Sequence, residues 1–281
     1  GIFLGLGLVF FFEFTDNSVH TPQDAERSIG LPIIGKIPSI RSKKNPQITN
    51  SPLFITYNNP TKKSWVREFY KESFRMLQSW LVFSFISSDN NKNKDSFGKT
   101  LLITSSLPNE GKSVVAINLA ISMAQIGKKV LLVDADPSDS DHFLSGLLDN
   151  NSYSGLVDVL DGKANLNAVL TKTSIDNLYV MTLGTNGDSD LSFLLISTKF
   201  DDIIKSLKKD FDIILFKSAP VTLSSQPMTI GSKVDGVILV VRADYTKKDI
   251  ILHSSWLLQN SGANILGIVL NRLKKSVANT I

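Results

Sequence analysis

The chain has 281 residues, which is enough for one large domain or two modest ones. Its apolar fraction of 42% and its charged fraction of 20% are those of a globular protein, and they exclude disorder throughout the chain. The sequence contains no cysteine, which excludes disulfides and thiolate metal sites, and its net charge of +4 gives no indication of nucleic-acid binding.

The chain opens with an apolar run from Gly1 to Phe12, which ends at Glu13. A helix needs about 20 apolar residues to span a bilayer, so this run is too short to cross one by itself. Basic residues predominate between Lys36 and Lys71, and basic residues after a membrane helix mark its cytoplasmic side. We therefore expect residues 1–14 to be the end of a transmembrane helix, with a buried N-terminal helix or strand as the alternative.

Residues 15–61 are expected to form a membrane-proximal segment and a linker. Proline and glycine mark turns in its first half, from Pro22 to Pro38. The second half, from about Arg41 to Thr61, is rich in Asn, Pro and Lys, which is typical of a linker. Residues 62–281 are expected to form a compact domain.

Short apolar runs alternate with helical patterns in this domain. The runs are rich in Val, Ile and Leu without alternation, which is typical of strands covered on both faces. The predicted strands are residues 100–104, 130–133, 178–182, 213–216, 237–241 and 265–269. The predicted helices are residues 112–125, 193–207 and 247–259. This βαβα order predicts an α/β fold with a mostly parallel sheet and helices on both faces.

A phosphate-binding loop is predicted between the first of these strands and the first helix. The sequence Ser-Ser-Leu-Pro-Asn-Glu-Gly-Lys-Ser, residues 105–113, lies in the strand–loop–helix context that this motif requires. Gly111 allows backbone angles that a side chain would oppose, and the helix N-terminus adds positive potential. Lys112 is predicted to reach the outer phosphates and Ser113 to ligate Mg²⁺. The candidate nucleotide-binding residues here are Ser106, which replaces the usual first glycine, Asn109, Glu110, Gly111, Lys112, Ser113 and Val114.

Two carboxylates, Asp134 and Asp136, follow the next predicted strand. The carboxyl ends of the strands form the ligand-binding edge of an open parallel sheet. Residues two apart on an extended chain point to the same side, so both carboxylates could lie near a metal ion. We predict Ser113, Asp134 and Asp136 as metal ligands, and Lys112, Asp134 and Asp136 as catalytic residues. A solvated loop is the alternative.

The phosphate loop and the Asp134-Ala135-Asp136 strand end resemble those of bacterial tyrosine kinases and their polysaccharide co-polymerase partners, a branch of the MinD/ParA-like P-loop NTPases. Residues 30–38, 72–78 and 267–272 share the resemblance, which covers almost the whole chain. It implies that Asn271 contacts the adenine base, and it adds Asn271 and Arg272 to the nucleotide-binding residues. It also implies that Glu72 and Arg75 lie in the interface of a homo-oligomeric ring.

The resemblance implies ATP or ADP and Mg²⁺ as ligands, and partners in exopolysaccharide or capsule polymerisation and export. It places the chain at the inner membrane, through the N-terminal helix, with the P-loop domain in the cytoplasm. Several departures from the family are visible, and two of them bear on activity. Lys217 stands where the family has an aspartate, and the last tyrosine is Tyr245, whereas the family ends in a tyrosine cluster. Lys217 is expected to pair with the aspartates and to weaken metal binding, and the alternative is that it turns out to solvent and the metal binds normally. Three functions stay open: a tyrosine autokinase, a non-catalytic nucleotide-binding scaffold, and a MinD/ParA-type ATPase.

Overall fold

The computed structural model describes residues 18–19, 21–39, 64–86, 98–138, 144, 147–148, 154–184 and 190–274. Residues 1–14, predicted to end a transmembrane helix, lie outside this part of the chain, as do residues 40–63 of the predicted linker and the start of the compact domain. Among the described residues, no helix is both long enough and apolar enough to cross a bilayer.

The described strands and helices follow the βαβα order expected from the sequence. The strands are β1 (Ile33–Pro38), β2 (Lys99–Ser105), β3 (Val130–Ala135), β4 (Thr171–Lys172), β5 (Leu178–Met181), β6 (Ile213–Ser218), β7 (Gly236–Arg242) and β8 (Ile265–Leu273). The α-helices are α1 (Pro22–Ile29), α2 (Ser64–Leu81), α3 (Lys112–Gln125), α4 (Leu156–Leu160), α5 (Leu191–Ile196), α6 (Thr198–Asp210), α7 (Gln226–Gly231) and α8 (Lys248–Asn260). A π-helical turn, Val82–Ile86, follows α2, and a 3₁₀ helix spans Leu166–Val169.

These strands form one sheet in the order β1-β8-β7-β2-β6-β3-β5-β4. In the described part of the chain, each neighbouring pair runs parallel except β4 with β5. Strand β6 lies between β2 and β3, so the residues that leave these three strands meet at one edge of the sheet. The predicted parallel sheet is confirmed, and this edge is where such a sheet binds ligands.

Apolar clusters cover both faces of the sheet. One cluster contains residues of α2 and α3, such as Phe74 and Ile117, and the other contains residues of α1 and α4–α8, such as Phe200. Strand β2 contributes to both, because Leu102 faces the second cluster while Leu101 and Ile103 face the first. Burial on both faces explains why the central strands are continuous apolar runs without polar alternation.

The stretch expected to be a membrane-proximal segment contributes α1 and the edge strand β1. Strand β1 pairs with β8 in parallel, with Ile33 opposite Ile268, and Ile34 and Ile37 are buried. The turn residues that flank these elements were visible in the sequence, but the elements themselves were not predicted. The division of the chain at residue 61 stays a prediction, although β1 belongs to the same sheet as β2, the strand that leads into the P-loop.

Two element boundaries differ from expectation, and the second of them bears on the site. The predicted helix at 193–207 is two helices, because Ser197 adopts extended angles, φ −64° and ψ 152°, between α5 and α6. Strand β6 continues two residues beyond its predicted end at Phe216. Lys217 therefore belongs to a buried central strand, where its neighbours are fixed by strand pairing.

Candidate nucleotide-binding site

The phosphate loop of residues 106–111 connects β2 to α3, as the sequence predicts. Two of its residues have left-handed backbone angles, Asn109 with φ 62° and Gly111 with φ 93°. A Cβ atom on Gly111 would lie 2.1 Å from Nδ2 of Asn271. Glycine is therefore required at this position both by the backbone angle and by the close approach of Asn271.

Glu110 holds the loop from the inside. Its fully buried carboxylate accepts a hydrogen bond from the N–H of Leu107 at 2.6 Å and from the N–H of Arg242 at 3.2 Å. It also accepts one from the hydroxyl of Thr246. Burial raises the pKa of Glu110, and the hydrogen bonds that it accepts oppose this rise. This residue, predicted to bind nucleotide, ties the loop to the segment between β7 and α8.

Two further side chains hold the loop in place. Nδ2 of Asn271 donates to the carbonyl of Glu110 at 2.8 Å, and Oδ1 of Asn271 accepts from the N–H of Arg272. On the other side, the hydroxyl of Thr222 donates to the carbonyl of Ser106 at 2.7 Å. The structure thus places Asn271 against the phosphate loop and Arg272 on the exposed end of β8. Contact of Asn271 with adenine stays a prediction.

Four charged side chains, Lys112, Asp134, Asp136 and Lys217, meet beside the loop, and we call them the charge cluster. Nζ of Lys112 lies 2.9 Å from Oδ2 of Asp136. Nζ of Lys217 lies 3.3 Å from the same oxygen and 3.2 Å from Oδ1 of Asp134. The pairing of Lys217 with both aspartates, expected from the strand ends, is confirmed.

Strand register positions these groups. Asp134 on β3 and Lys217 on β6 are directly opposite each other in the parallel pairing of the two strands. Asp136 follows β3 and is fixed by Ser138, whose N–H and hydroxyl donate to Oδ1 at 3.0 Å and 2.5 Å. Lys112 is the first residue of α3 and reaches Asp136 from the other side. Ser113 and Val114 follow it, half-buried, in the first turn.

The pKa values of the two carboxylates shift in opposite directions. Burial raises the pKa of Asp134, and the ammonium of Lys217 only partly opposes it. Burial also acts to raise the pKa of Asp136, but the charges of Lys217 and Lys112 and the hydrogen bond from Ser138 together hold it below its usual range. Asp136 is therefore the carboxylate that the cluster stabilises most as an anion.

The charge cluster bears on the predicted Mg²⁺ site at Ser113, Asp134 and Asp136. With both carboxylates ionised, two cations balance two anions, so no net negative charge is left to attract a divalent ion. An ammonium already lies within 3.3 Å of both aspartates. In the part of the chain that the structure describes, no group of three or more His, Cys, Asp or Glu is placed to hold a metal. This arrangement does not fit a divalent ion held between the two carboxylates.

The predicted oligomer-interface residues lie elsewhere, on the exposed face of α2. Nη1 of Arg75 pairs with Glu72 at 3.2 Å and with Glu68 at 3.3 Å, and all three side chains are more than half exposed. Gln78, three residues beyond Arg75, is buried instead and accepts a hydrogen bond from the hydroxyl of Ser122 on α3. Glu72 and Arg75 are thus accessible to another molecule, whereas Gln78 is part of the packing between α2 and α3.

Sequence reasoning did not identify Ser138, Thr222, Arg242 or Thr246 as parts of this site. All four lie in segments that leave or follow the carboxyl ends of β3, β6 and β7. Their position after the carboxyl ends of parallel strands could have identified them as candidates, because such segments converge on the ligand-binding edge of the sheet. Their partners are distant in sequence: Thr246 and Glu110 are 136 residues apart.

Comparison with known proteins relates this chain to proteins of a described family. A family model for an AAA domain matches residues 106–250. Tyrosine-protein kinase CpsD of Streptococcus agalactiae is 34% identical over 181 residues, which are 64% of this chain and 78% of that protein. This chain belongs to the bacterial tyrosine-protein kinase family. Another member, the putative tyrosine-protein kinase CapB of Staphylococcus aureus, is 30% identical over 226 residues, which are 80% of this chain and 91% of CapB.

Solved structures confirm the fold. The chimerical protein CapA2B2 superposes with a TM-score of 0.73 at 27% identity, covering 91% of this chain and 100% of that one. The cell division ATPase MinD of Pyrococcus furiosus superposes with a TM-score of 0.54 at 27% identity, covering 64% of this chain and 78% of MinD. The MinD-like P-loop fold predicted from the sequence is therefore confirmed, and CapA2B2 matches a larger share of the chain.

Proposed function

We propose that this chain binds ATP or ADP through residues 106–113 and serves as the kinase-like module of a regulator of exopolysaccharide or capsule synthesis, with catalysis weak or absent. The observation that carries the nucleotide assignment is the phosphate loop with Lys112 at the start of α3. The N-terminus of α3 favours negative charge, and the side chains that hold the loop keep its backbone in one conformation.

Lys112 is the side chain proposed to contact the phosphates. It is about nine-tenths buried, with its ammonium held at 2.9 Å from Asp136. Asp136 also has Lys217 as a partner, so Lys112 can engage a phosphate without leaving an unpaired carboxylate behind. The charge cluster therefore supplies a lysine that is positioned at the loop and available to an anionic ligand.

Replacement of Lys112 by Ala is expected to weaken ATP binding by about 1.5–3 kcal/mol, the contribution of a charge-assisted hydrogen bond. Calorimetric titration of ATP into the wild type and the variant measures this difference. Lys205→Ala is the matched control, because Lys205 is an exposed helical lysine on α6 whose Nζ lies 3.7 Å from Asp202. Equal ATP affinity of wild type and Lys112→Ala would contradict the proposal.

An active tyrosine autokinase is the alternative, and membership of the tyrosine-protein kinase family favours it. It would require phosphoryl transfer, which depends on positioning and on neutralising charge at the phosphates. Lys217, buried between Asp134 and Asp136, opposes the metal ion that family members are expected to use for this purpose. Detection of phosphotyrosine after incubation with ATP and Mg²⁺ distinguishes a kinase from a scaffold.

The remaining partners are proposed from the family resemblance. Residues 1–14 would anchor the chain in the inner membrane, with the P-loop domain in the cytoplasm, close to the machinery that polymerises and exports the polysaccharide. The chain would also assemble with itself into a ring through α2, where Glu72 and Arg75 lie on the exposed face. Because their charges are accessible, they can pair across an interface as well as within the helix.

Replacement of Arg75 by Glu is expected to weaken self-association at least tenfold, which is about 1.4 kcal/mol. The substitution removes the guanidinium that pairs with Glu68 and Glu72. It also adds a third carboxylate to this face of α2, which repels acidic groups of a neighbouring copy. Sedimentation equilibrium measures the association constant. Lys205→Glu makes the same charge change on α6 and should leave it unaltered. A wild type that stays monomeric at every concentration, or a variant that associates equally well, would contradict the ring interface.

A further inference from the structure

Lys217 is a fully buried lysine at the ligand-binding edge of the sheet, and it makes none of the phosphate contacts proposed above. Its ammonium lies 3.2 Å from Asp134 and 3.3 Å from Asp136. Both aspartates occupy the position where carboxylates of a parallel sheet would face a metal bound to phosphates.

The position of this ammonium is fixed. Lys217 lies within β6, directly opposite Asp134 on β3, so strand pairing sets where its side chain starts. No part of its side chain is exposed, so it does not turn out into solvent. Burial of an ammonium is unfavourable unless it is paired, and two carboxylates supply that pairing. Lys217 is therefore a buried residue held by two ion pairs, and not a surface lysine that lies near the aspartates by chance.

This arrangement changes the electrostatics of nucleotide binding. Without a cation between them, Asp134 and Asp136 would repel the phosphates of a nucleotide, and a divalent metal normally removes such repulsion. Here Lys217 supplies one positive charge between the carboxylates from within the protein, and Lys112 supplies a second beside Asp136. Nζ of Lys217 and that of Lys112 contact the same oxygen of Asp136, so a second ammonium lies close to the lysine proposed to bind phosphate.

We propose that Lys217 takes the place of a divalent metal in this chain, so that the site binds a nucleoside diphosphate or triphosphate without one. The proposal rests on the nucleotide-binding function proposed above and specifies its ligand as the metal-free nucleotide. It also accounts for the lysine at a position where related sequences are expected to carry an aspartate: a third carboxylate would need the metal, whereas an ammonium excludes it.

Titration of fluorescently labelled ADP into the protein, in EDTA and in Mg²⁺, tests this proposal. The dissociation constant of the wild type is expected to change by no more than about twofold between the two buffers. That of Lys217→Asp is expected to be at least about tenfold higher in EDTA than in Mg²⁺, because three carboxylates then face the phosphates. Lys205→Asp makes the same charge change at an exposed site on α6 and should behave like the wild type.

A second arm uses the metal alone and needs no nucleotide. Mn²⁺ is expected to raise the melting temperature of Lys217→Asp and to leave that of the wild type unchanged. If Lys217→Asp does not fold, Lys217→Gln replaces it. Its dissociation constant for ADP is expected to be higher in EDTA than in Mg²⁺, and Mn²⁺ is expected to raise its melting temperature. A wild type that binds labelled ADP at least tenfold more tightly in Mg²⁺ than in EDTA would overturn the proposal, as would a wild type stabilised by Mn²⁺. Absence of ADP binding in both buffers would refute the proposed function instead, and the Mn²⁺ arm would still decide whether Lys217 excludes the metal.

Discussion

Replacement of Lys217 by Met is expected to lower the free energy of unfolding by about 3–5 kcal/mol, the usual cost of breaking a buried ion pair from one side. Asp136 keeps Lys112 as a partner at 2.9 Å. Asp134 loses the ammonium at 3.2 Å, while its own side chain is only 13% exposed. Because burial already raises the pKa of Asp134, its carboxyl must then either stay charged without a cation or take up a proton, and both cost free energy. Urea denaturation followed by circular dichroism measures the change.

Two variants show whether this effect comes from the unpaired charge. Lys208→Met removes a lysine that pairs with Asp235 at 2.8 Å in a partly exposed setting, and is expected to cost less than half as much. The double variant Lys217→Met/Asp134→Asn removes the charge from both partners, and is expected to recover much of the lost stability. If Lys217→Met and Lys208→Met cost the same, or if the double variant recovers nothing, the charge cluster is not the source of the effect.

Replacement of Gly111 by Ala is expected to lower the free energy of unfolding by at least about 2 kcal/mol and to abolish nucleotide binding. Two causes add together. The left-handed backbone at φ 93° costs about 1–2 kcal/mol for a residue with a Cβ atom. The new Cβ would also lie 2.1 Å from Nδ2 of Asn271, which has to move away from the carbonyl of Glu110 that it holds.

Gly127→Ala is the matched control for Gly111→Ala. Gly127 has a similar backbone angle, φ 84°, but among the described residues none has an atom within 4 Å of the added Cβ. This control should therefore show only the backbone cost, about 1–2 kcal/mol, and should leave nucleotide affinity unchanged. Thermal or urea unfolding and a calorimetric ADP titration measure both quantities. Equal losses in the two variants would show that Asn271 does not constrain the loop.

The central sheet could be predicted from the sequence because its strands are buried on both faces. Such strands are continuous apolar runs, as at residues 130–133 and 237–241, and they stand out from the amphipathic helices between them. Strand β1 could not be predicted in the same way. It is a short edge strand that contains Gly35, Lys36 and Pro38, and only its pairing with the distant β8 identifies it as part of the sheet.

The same distinction applies to the site. The phosphate loop and the pair Asp134 and Asp136 are local patterns at strand ends, so the sequence shows them directly. The contacts that hold the loop are not local, since Glu110 bonds Arg242, which is 132 residues away. Glu110 was predicted as a nucleotide-binding residue, and this stays a prediction; the structure adds that its carboxylate is turned inward and holds the loop. No local pattern distinguishes these two roles.

A crystal structure of the chain grown with ADP and EDTA would show whether the phosphate loop holds a nucleotide in the absence of a metal. We expect a diphosphate within hydrogen-bonding distance of Lys112 and of the backbone N–H groups of the phosphate loop, with Lys217 still between Asp134 and Asp136. A nucleotide bound elsewhere on the chain, or a loop that stays empty at saturating ADP, would contradict the claim that this module binds nucleotide through residues 106–113 without a divalent ion.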